Sequence, residues 1–220
     1  MQLDAALLTP SVRLAVALVA FPCVAMAAVR APWHTWLARS DRQHVWLGSL
    51  VLLLLVWSLR AGVTPGLTLQ FMLVGALTLM HGWALAVVGT AVVLGVDAVQ
   101  HRDLAAWPAN LLCSGILPAT VTILLHRLAE ARLPRNYFVY FFVTAFAGSF
   151  LGYVLAALAR LGLLWASATL PTGHVGDEVL MLLPMLALAE AFMNGLVMSV
   201  AVVYTPHWVA TFDDQRYFHR

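Results

Sequence analysis

The feature that most constrains this sequence is a series of apolar runs, most of them close to about 20 residues long, separated by short clusters of arginine, proline and polar residues. Because a helix rises about 1.5 Å per residue, a run of about 20 residues spans the hydrocarbon core of a bilayer. The runs predict an all-α integral membrane protein with about seven transmembrane helices in a single domain, 1–220. The predicted spans are 11–29, 45–60, 67–80, 82–99, 108–126, 137–159 and 179–204.

Composition agrees with a membrane location. Hydrophobic residues make up 62% of the chain and charged residues only 10%, whereas soluble domains average about 45–50% apolar and about 25% charged residues. A water-soluble fold of this composition would expose leucine, valine and alanine over most of its surface, which excludes a soluble enzyme and a disordered chain. The formal net charge of +2 is too small to favour an anionic partner. We therefore expect the lipid bilayer as a partner, and no nucleic acid.

The third and fourth apolar runs lie unusually close together. Residues 67–99 are too long for one tilted transmembrane helix. The sequence Met80-His81-Gly82 offers a break between the two runs. We therefore predict two tightly joined helices in this region.

Arginine-rich loops predict the orientation in the membrane. The loops 30–44 and 127–136 each carry three arginines against a single acid, and the predicted loop 160–178 begins at Arg160. Arginine-rich loops belong on the cytoplasmic side. With seven spans, the loops 30–44 and 127–136 lie on the same side of the membrane. This side is then the cytoplasm, with the N-terminus outside and the C-terminus in the cytoplasm. We expect a multi-pass protein of the bacterial inner membrane.

Small residues and cysteines in the apolar runs predict packing. Gly148 and Gly152 form a GxxxG stripe, which allows two helix backbones to approach closely, within the chain or with a partner. Cys23 and Cys113 both lie in apolar stretches. We expect them to be buried free thiols that pack as small hydrophobic residues.

Ionisable groups at membrane depth are the candidate functional residues, because each costs several kcal/mol in hydrocarbon. Glu190 and Asn194 are four residues apart and share a helix face. Asp97 and His101 have the same spacing, which would bring a carboxylate and an imidazole together for a cation. Each also has a structural interpretation: Glu190 as a hydrogen-bonded core carboxyl, Asp97 and His101 as a hydrated span end, and His81 as a helix cap. No motif of catalysis is present, so we predict that the protein is not an enzyme.

Three stretches carry a resemblance to a known family. They are GLTLQFMLVGALTLMHGWALAVVGT (66–90), PANLLCSGILPA (108–119) and LAEAFMNGLVMSV (188–200). They resemble the CbiM/NikM-type membrane component of energy-coupling-factor transporters, whose members capture cobalt and nickel ions. The second stretch matches at Asn110 and Gly115, and the third at Glu190 and Gly195.

The resemblance implies a fold and a set of partners, while the ligand positions differ. It implies seven spans with an outside N-terminus, and a transmembrane coupling subunit and cytoplasmic ATPases that supply the energy. Family members bind metal through the N-terminus, a histidine at the second residue and a later histidine. This chain has Gln2 at the first histidine position and Phe71 near the second, and Cys113 replaces the family's second asparagine. The fold is therefore expected to match the family, and the metal site is not.

Two hypotheses follow for the function. The first is a permease component for uptake of a transition-metal cation, of the cobalt and nickel type or a softer metal such as copper. It involves no resident cofactor, because the metal ion is the substrate. The alternative is a structural or accessory membrane subunit that does not transport. For the first hypothesis, the candidate metal ligands are His81, Met80, Asp97 and His101, and the candidate polar interior or transport path consists of Glu190, Asn194, Asn110 and Cys113.

Overall fold

The computed structural model describes residues 3–58, 61–64, 67–69, 71–169, 175–213 and 217. Two short strands pair as an antiparallel hairpin, and the other elements are helical. π-helical stretches at Leu112–Ile116 and Tyr140–Ala147 join α6 to α7 and α8 to α9. The elements are α1 Pro10–Arg30, α2 Trp33–Leu37, α3 Ser40–Ser58, β1 Ala61–Thr64, β2 Leu67–Leu69, α4 Val74–His81, α5 Trp83–Gln100, α6 Trp107–Leu111, α7 Leu117–Arg132, α8 Tyr137–Val139, α9 Gly148–Ala166 and α10 Val175–Tyr204.

Five helical stretches among the described residues are long and apolar enough to cross a membrane. This confirms the predicted class of multi-pass helical membrane protein. The predicted span 45–60 corresponds to α3, which is helical over Ser40–Ser58 but is not one of the five. The five stretches are Pro10–Arg30, Trp83–Gln100, Leu104–Arg132, Tyr137–Ala166 and Leu180–Tyr204.

The predicted third span, 67–80, is wrong as a continuous helix. Its first residues form β2, residues 71–73 are not helical, and α4 begins only at Val74. Leu73 has a left-handed backbone with φ of 53°, which a continuing right-handed helix does not allow. The eight residues of α4 rise only about 12 Å, so α4 alone cannot cross a bilayer.

The predicted break at Met80-His81-Gly82 is confirmed. Gly82 ends α4 and begins α5, with φ of +84°. The amide of Gly82 donates to the carbonyl oxygen of Thr78 at 2.8 Å, and its own carbonyl oxygen accepts from Ala86 at 3.1 Å. Glycine adopts this backbone conformation without the steric cost that a Cβ atom imposes.

The helix α4 lies at the centre of the bundle. Every residue from Val74 to Leu79 is buried, and α4 contacts α5, α7, α9 and α10. A helix that is apolar on all sides is stable when protein or lipid surrounds it, and the surroundings of α4 are other helices of the same chain. The apolar sequence of α4 therefore reflects burial in protein rather than contact with lipid.

Two neighbouring helices run in the same direction. The indole Nε1 of Trp46 on α3 donates to the carbonyl oxygen of Leu85 on α5 at 3.1 Å. Four residues further along both helices, Leu50 packs against Gly89. Because α3 and α5 run in the same direction, the chain segment that connects them has to cross back from the end of the bundle where α3 ends to the end where α5 begins. The hairpin and α4 provide that return.

The helix directions define two ends of the bundle. Both arginine-rich connections lie at the end where α4 meets α5, which we name the junction face. The opposite end holds the N-terminal segment, and we name it the N-terminal face. The junction face comprises Gly82, the connections 31–39 and 133–136, and residues 205–213; the N-terminal face comprises residues 3–9, 101–106 and 167–169.

The GxxxG stripe of α9 packs against α7 within the chain. A Cβ atom on Gly152 would lie 3.1 Å from the Cα of Pro118, and one on Gly148 would lie 3.5 Å from the Cα of Thr122. The backbones of α7 and α9 are therefore in close contact and antiparallel. Both cysteines are free thiols, with Cys113 buried and Cys23 partly buried.

We predict that Gly152→Leu destabilises the protein, because the new side chain has to displace the backbone of α7. Overpacking of this kind costs about 1–3 kcal/mol. The melting temperature of the purified protein in detergent should fall. Gly162→Leu on the same helix is the matched control, because no atom lies within 4 Å of a Cβ placed there. Equal melting temperatures for the two variants would contradict the close contact of α7 and α9.

Candidate functional site

A buried carboxylate in α10 binds the start of α4. Glu190 is 2% exposed. Its Oε2 accepts a hydrogen bond from the amide of Met72 at 2.8 Å, and its Oε1 accepts from the amide of Leu73 at 2.7 Å. Amides at a helix N-terminus have no carbonyl partner in the helix and attract negative charge. Glu190 therefore caps α4 from a different helix.

Asn194 extends the same cap by one helical turn. Its Oδ1 accepts from the amide of Ala76 at 2.7 Å, and its Nδ2 donates to Oε1 of Glu190 at 2.7 Å. The two side chains share one face of α10, as their spacing predicted. Because Oε1 and Oε2 of Glu190 accept three hydrogen bonds in total, this carboxylate is engaged in holding α4.

Asn110 binds the N-terminal segment near the opposite end. Its Oδ1 accepts from the amide of Leu3 at 2.7 Å, and its Nδ2 donates to the carbonyl oxygen of Leu3 at 2.9 Å. The amide of Ala5 donates to Oδ2 of Asp103 at 2.9 Å. These contacts fix the segment at the N-terminal face. Gln2, at the family's histidine position, lies outside the described residues.

Arg160 is a buried cation that the sequence prediction placed at the start of a loop. That placement is wrong, because α9 continues through Leu161–Ala166, where the apolar run resumes. Arg160 is 0% exposed. Its Nη2 donates to Oγ of Ser114 at 2.5 Å, while Nε and Nη1 have no hydrogen-bond partner within the described chain.

The guanidinium lies one helical turn inward from the N-terminal segment. Ser114 follows Asn110 by four residues and Arg160 precedes Leu164 by four, and Leu164 packs in one cluster with Leu3. Cys113 is buried close enough to Arg160 for an electrostatic interaction. The interior at this depth is therefore positively charged. The signal in the sequence was an arginine inside a continuing apolar helix.

Asp97 and His101 form a local pair at the N-terminal face. The Nδ1 of His101 lies 3.5 Å from Oδ1 of Asp97 and 2.9 Å from its backbone oxygen. His101 is exposed at the end of α5. The carboxylate oxygens of the nearby Asp103 accept hydrogen bonds from the amides of Ala5 and Ala106.

His81 and Met80 lie at the junction face, so the four predicted metal ligands do not meet. The sixteen residues from His81 to Asp97 correspond to about 24 Å along a helix. Among the residues that the structure describes, no three His, Cys, Asp or Glu side chains lie close enough together to hold a metal ion. Phe71, near the family's other histidine position, offers no ligand atom and is partly exposed.

The methionines of the last span do not share one environment. Met181 and Met185 are exposed, Met193 is partly buried, and Met198 is buried. The structure therefore gives no single methionine-lined face on α10.

His81 lines a cleft of about 90 Å³ at the junction face. The sequence prediction missed a second histidine, His207, which lines the same cleft after the end of α10. The backbone holds this segment in place, because the amide of Ala210 donates to the carbonyl oxygen of Met80 at 2.9 Å. The cleft is lined by Pro32, Thr35, Trp36, Arg42, Val45, Met80, His81, Leu85, His207, Trp208 and Ala210.

Hydrogen bonding sets the tautomer of His81. The Ser49 hydroxyl donates its single proton to the carbonyl oxygen of Val45 at 2.8 Å. The 3.1 Å contact between Ser49 Oγ and His81 Nε2 therefore takes its proton from the imidazole. In the neutral ring this places the proton on Nε2 and the lone pair on Nδ1.

Comparisons with known proteins give one family and one fold. A family model described as "CbiM: Cobalt uptake substrate-specific transmembrane region" matches residues 3–208. The chain is similar to a solved structure described as "Crystal Structure of an Truncated Transition metal Transporter", with a TM-score of 0.69 and 15% identity. That similarity covers 93% of this chain and 99% of the other, and it shows a shared fold. No curated protein matches significantly.

We predict that Glu190→Ala destabilises the protein more than Glu190→Gln. The alanine variant leaves the amides of Met72 and Leu73 unpaired, at about 1–3 kcal/mol for each group, whereas glutamine retains one acceptor oxygen. Melting temperatures in detergent should fall in the order wild type, Gln, Ala. Leu196→Ala, exposed on the same helix, is the control. A Glu190→Ala protein as stable as this control would show that Glu190 does not hold α4.

We predict that Arg160→Met folds and melts at or above the wild-type temperature. Methionine fills a similar volume and removes a desolvated charge that has a single hydrogen bond within the described residues. Replacing buried ionic groups by apolar ones is often stabilising. Arg102→Met, an exposed site, is the control for loss of one positive charge. A large fall in melting temperature for Arg160→Met alone would mean that the charge itself holds the bundle together.

Proposed function

The chain belongs to the CbiM family of cobalt-uptake transmembrane proteins, as the sequence resemblance predicted, and we propose that it is the substrate-capture component of a transition-metal uptake system. The observation that carries the proposal is the family match over residues 3–208. The match includes the short central helix, its caps and the anchored N-terminal segment. Because the interior polar contacts by themselves name no ion, the metal class comes from the family.

The proposed topology has seven crossings, with the N-terminus outside and the C-terminus in the cytoplasm of a bacterial inner membrane. In this topology the hairpin and α4 together make the third crossing. Support comes from the parallel direction of α3 and α5, which requires a return between them. Further support comes from the two arginine-rich connections at the junction face, because such loops favour the cytoplasm.

The proposed partners are a transmembrane coupling subunit and cytoplasmic ATPases. The chain carries no phosphate-binding motif, so ATP hydrolysis would have to come from another subunit. A junction face rich in arginine would meet those partners in the cytoplasm. No resident cofactor is proposed, because the metal ion is the substrate.

The polar side chains have different proposed roles. Glu190 and Asn194 fix α4, and Asn110 fixes the N-terminal segment, so they shape the path rather than bind the ion. Cys113 lies beside this path. The proposed metal ligands at the junction face are His81 and Met80, while Asp97 and His101 lie at the entrance on the N-terminal face. This arrangement would separate structural polar groups from ion-binding groups.

Arg160 favours a second candidate function, an accessory membrane subunit that does not transport. Two unit charges 4 Å apart repel by about 4 kcal/mol at an effective dielectric constant of about 20, and a divalent ion doubles that energy. A bare divalent cation beside Arg160 would meet such a penalty. The chain has Gln2 at the family's first histidine position and Phe71 near the second, and these differences point in the same direction.

A metal-accumulation experiment in cells tests the proposed function. In cells of the source organism that lack the gene, we expect the content of one transition metal to fall and wild-type protein to restore it. Glu190→Ala should fail to restore the metal, because the path around α4 loses its cap. The measurement is elemental mass spectrometry after growth with cobalt, nickel, copper, zinc and iron, at equal membrane levels of each protein.

Leu196→Ala on the same helix is the matched control and should restore uptake. If the deletion changes none of the five metals, the uptake function is wrong and the accessory function replaces it. If Glu190→Ala restores uptake fully, the metal path does not depend on the cap of α4.

A further inference from the structure

The cleft at the junction face is lined by three residues with nitrogen or sulfur donor atoms. His81 and Met80 are adjacent at the end of α4, and His207 reaches the same cleft from the segment after α10. Two backbone hydrogen bonds attach that segment to α4, from Ala210 to the oxygen of Met80 at 2.9 Å and from Thr211 to the oxygen of Leu79 at 3.2 Å. The two walls of the cleft are therefore linked by backbone hydrogen bonds.

The lone pair of His81 is available to a ligand in this cleft. Its Nε2 is held by Ser49, and no protein group is hydrogen-bonded to its Nδ1 in the described structure. Metal-binding histidines commonly have one ring nitrogen held by a protein group, which orients the other nitrogen toward the metal. Ser49 and His81 have this arrangement before any metal is bound.

The charges around the cleft select the kind of ion. Its lining contains two imidazoles, one thioether and the guanidinium of Arg42, and among the described residues no carboxylate lines it. Oxygen-rich, negatively charged sites suit hard divalent ions, whereas imidazole and thioether suit copper, and thioether suits monovalent copper in particular. A nearby guanidinium also repels a divalent ion twice as strongly as a monovalent one.

We infer that the cleft is a binding site for one monovalent copper ion, with His81 Nδ1, His207 and Met80 as ligands and Ser49 as the residue that positions His81. This inference rests on the proposed function for its site, where His81 and Met80 are already proposed as metal ligands, and it adds the ion and a third ligand; it does not depend on the direction of transport. The site is separate from the N-terminal face, where Arg160 and Asn110 lie.

The test is a competition titration on the purified full-length protein in detergent. Copper is kept monovalent with ascorbate under argon, and the chromophoric chelator bicinchoninate competes for it. We expect the wild type to retain one equivalent of copper. Loss of a hydrogen bond that orients a metal ligand costs about 10–100-fold in metal affinity, so removal of a ligand itself in His81→Ala or His207→Ala should cost at least that much. Met80→Leu should weaken binding of monovalent copper and of silver(I).

Three further variants separate ligand binding from damage to the fold. Ser49→Ala should lower copper affinity about tenfold or more, and Ser49→Thr should restore it because threonine retains the hydroxyl. His34→Ala removes an exposed histidine on the same face and should bind copper like the wild type. His207 is exposed, so His207→Ala is expected to fold even if His81→Ala does not.

Four results would overturn the inference. They are a wild type that retains no copper, a folded His81→Ala and His207→Ala double variant with wild-type affinity, an equal loss in His34→Ala, and tighter binding of Co²⁺ than of monovalent copper. Metal accumulation in cells is measured separately. Uptake that persists in His207→Ala cells while the purified wild type fails to bind copper would reject this site and leave the proposed function in place.

Discussion

The capture of the α4 N-terminus by Glu190 is the interaction on which the rest of the structure depends. In a bilayer each unsatisfied backbone group costs several kcal/mol. Burial of an unpaired carboxylate also costs free energy. Two amides, of Met72 and Leu73, and one carboxylate satisfy each other. This allows a helix of eight residues to begin inside the bundle. The start of α4 then fixes both the hairpin on one side and the position of His81 on the other.

The sequence predicted the elements whose causes are local. Long apolar runs gave the membrane class, Gly82 gave the break between α4 and α5, and a spacing of four gave the shared face of Glu190 and Asn194. The prediction of a helix over 67–80 was wrong because the residue that sets the local structure there is distant in the sequence. The amides that a helical pattern assigns to local carbonyls bind Glu190 instead, 118 residues from Met72. No window of neighbouring residues contains that information.

The candidate functional site shows the same limit of prediction from neighbouring residues. Arg160 was predicted at a loop because arginine usually ends an apolar run, yet the helix continues and buries it. His207 follows the last span, far along the chain from His81, and no spacing rule connects the two. His81 and His207 line the same cleft, and the hydrogen bond from Ala210 to Met80 connects the two chain segments that carry them. Pairings made by tertiary packing between chain segments therefore set the chemistry of both ends of the bundle.

The distribution of charge then limits where a cation can rest. Among the described residues Glu190 is the only buried acid, and its oxygens accept three hydrogen bonds from protein groups. Near the N-terminal face the interior charge is the positive charge of Arg160. The donors that line the junction-face cleft are nitrogen and sulfur atoms. Neutral donors do not offset the charge of a bound ion, so they favour ions of low charge. Nitrogen and sulfur donors also favour soft ions over hard ones. The chain therefore retains the fold of a cobalt-uptake family, while the donors of the junction-face cleft suit a softer ion.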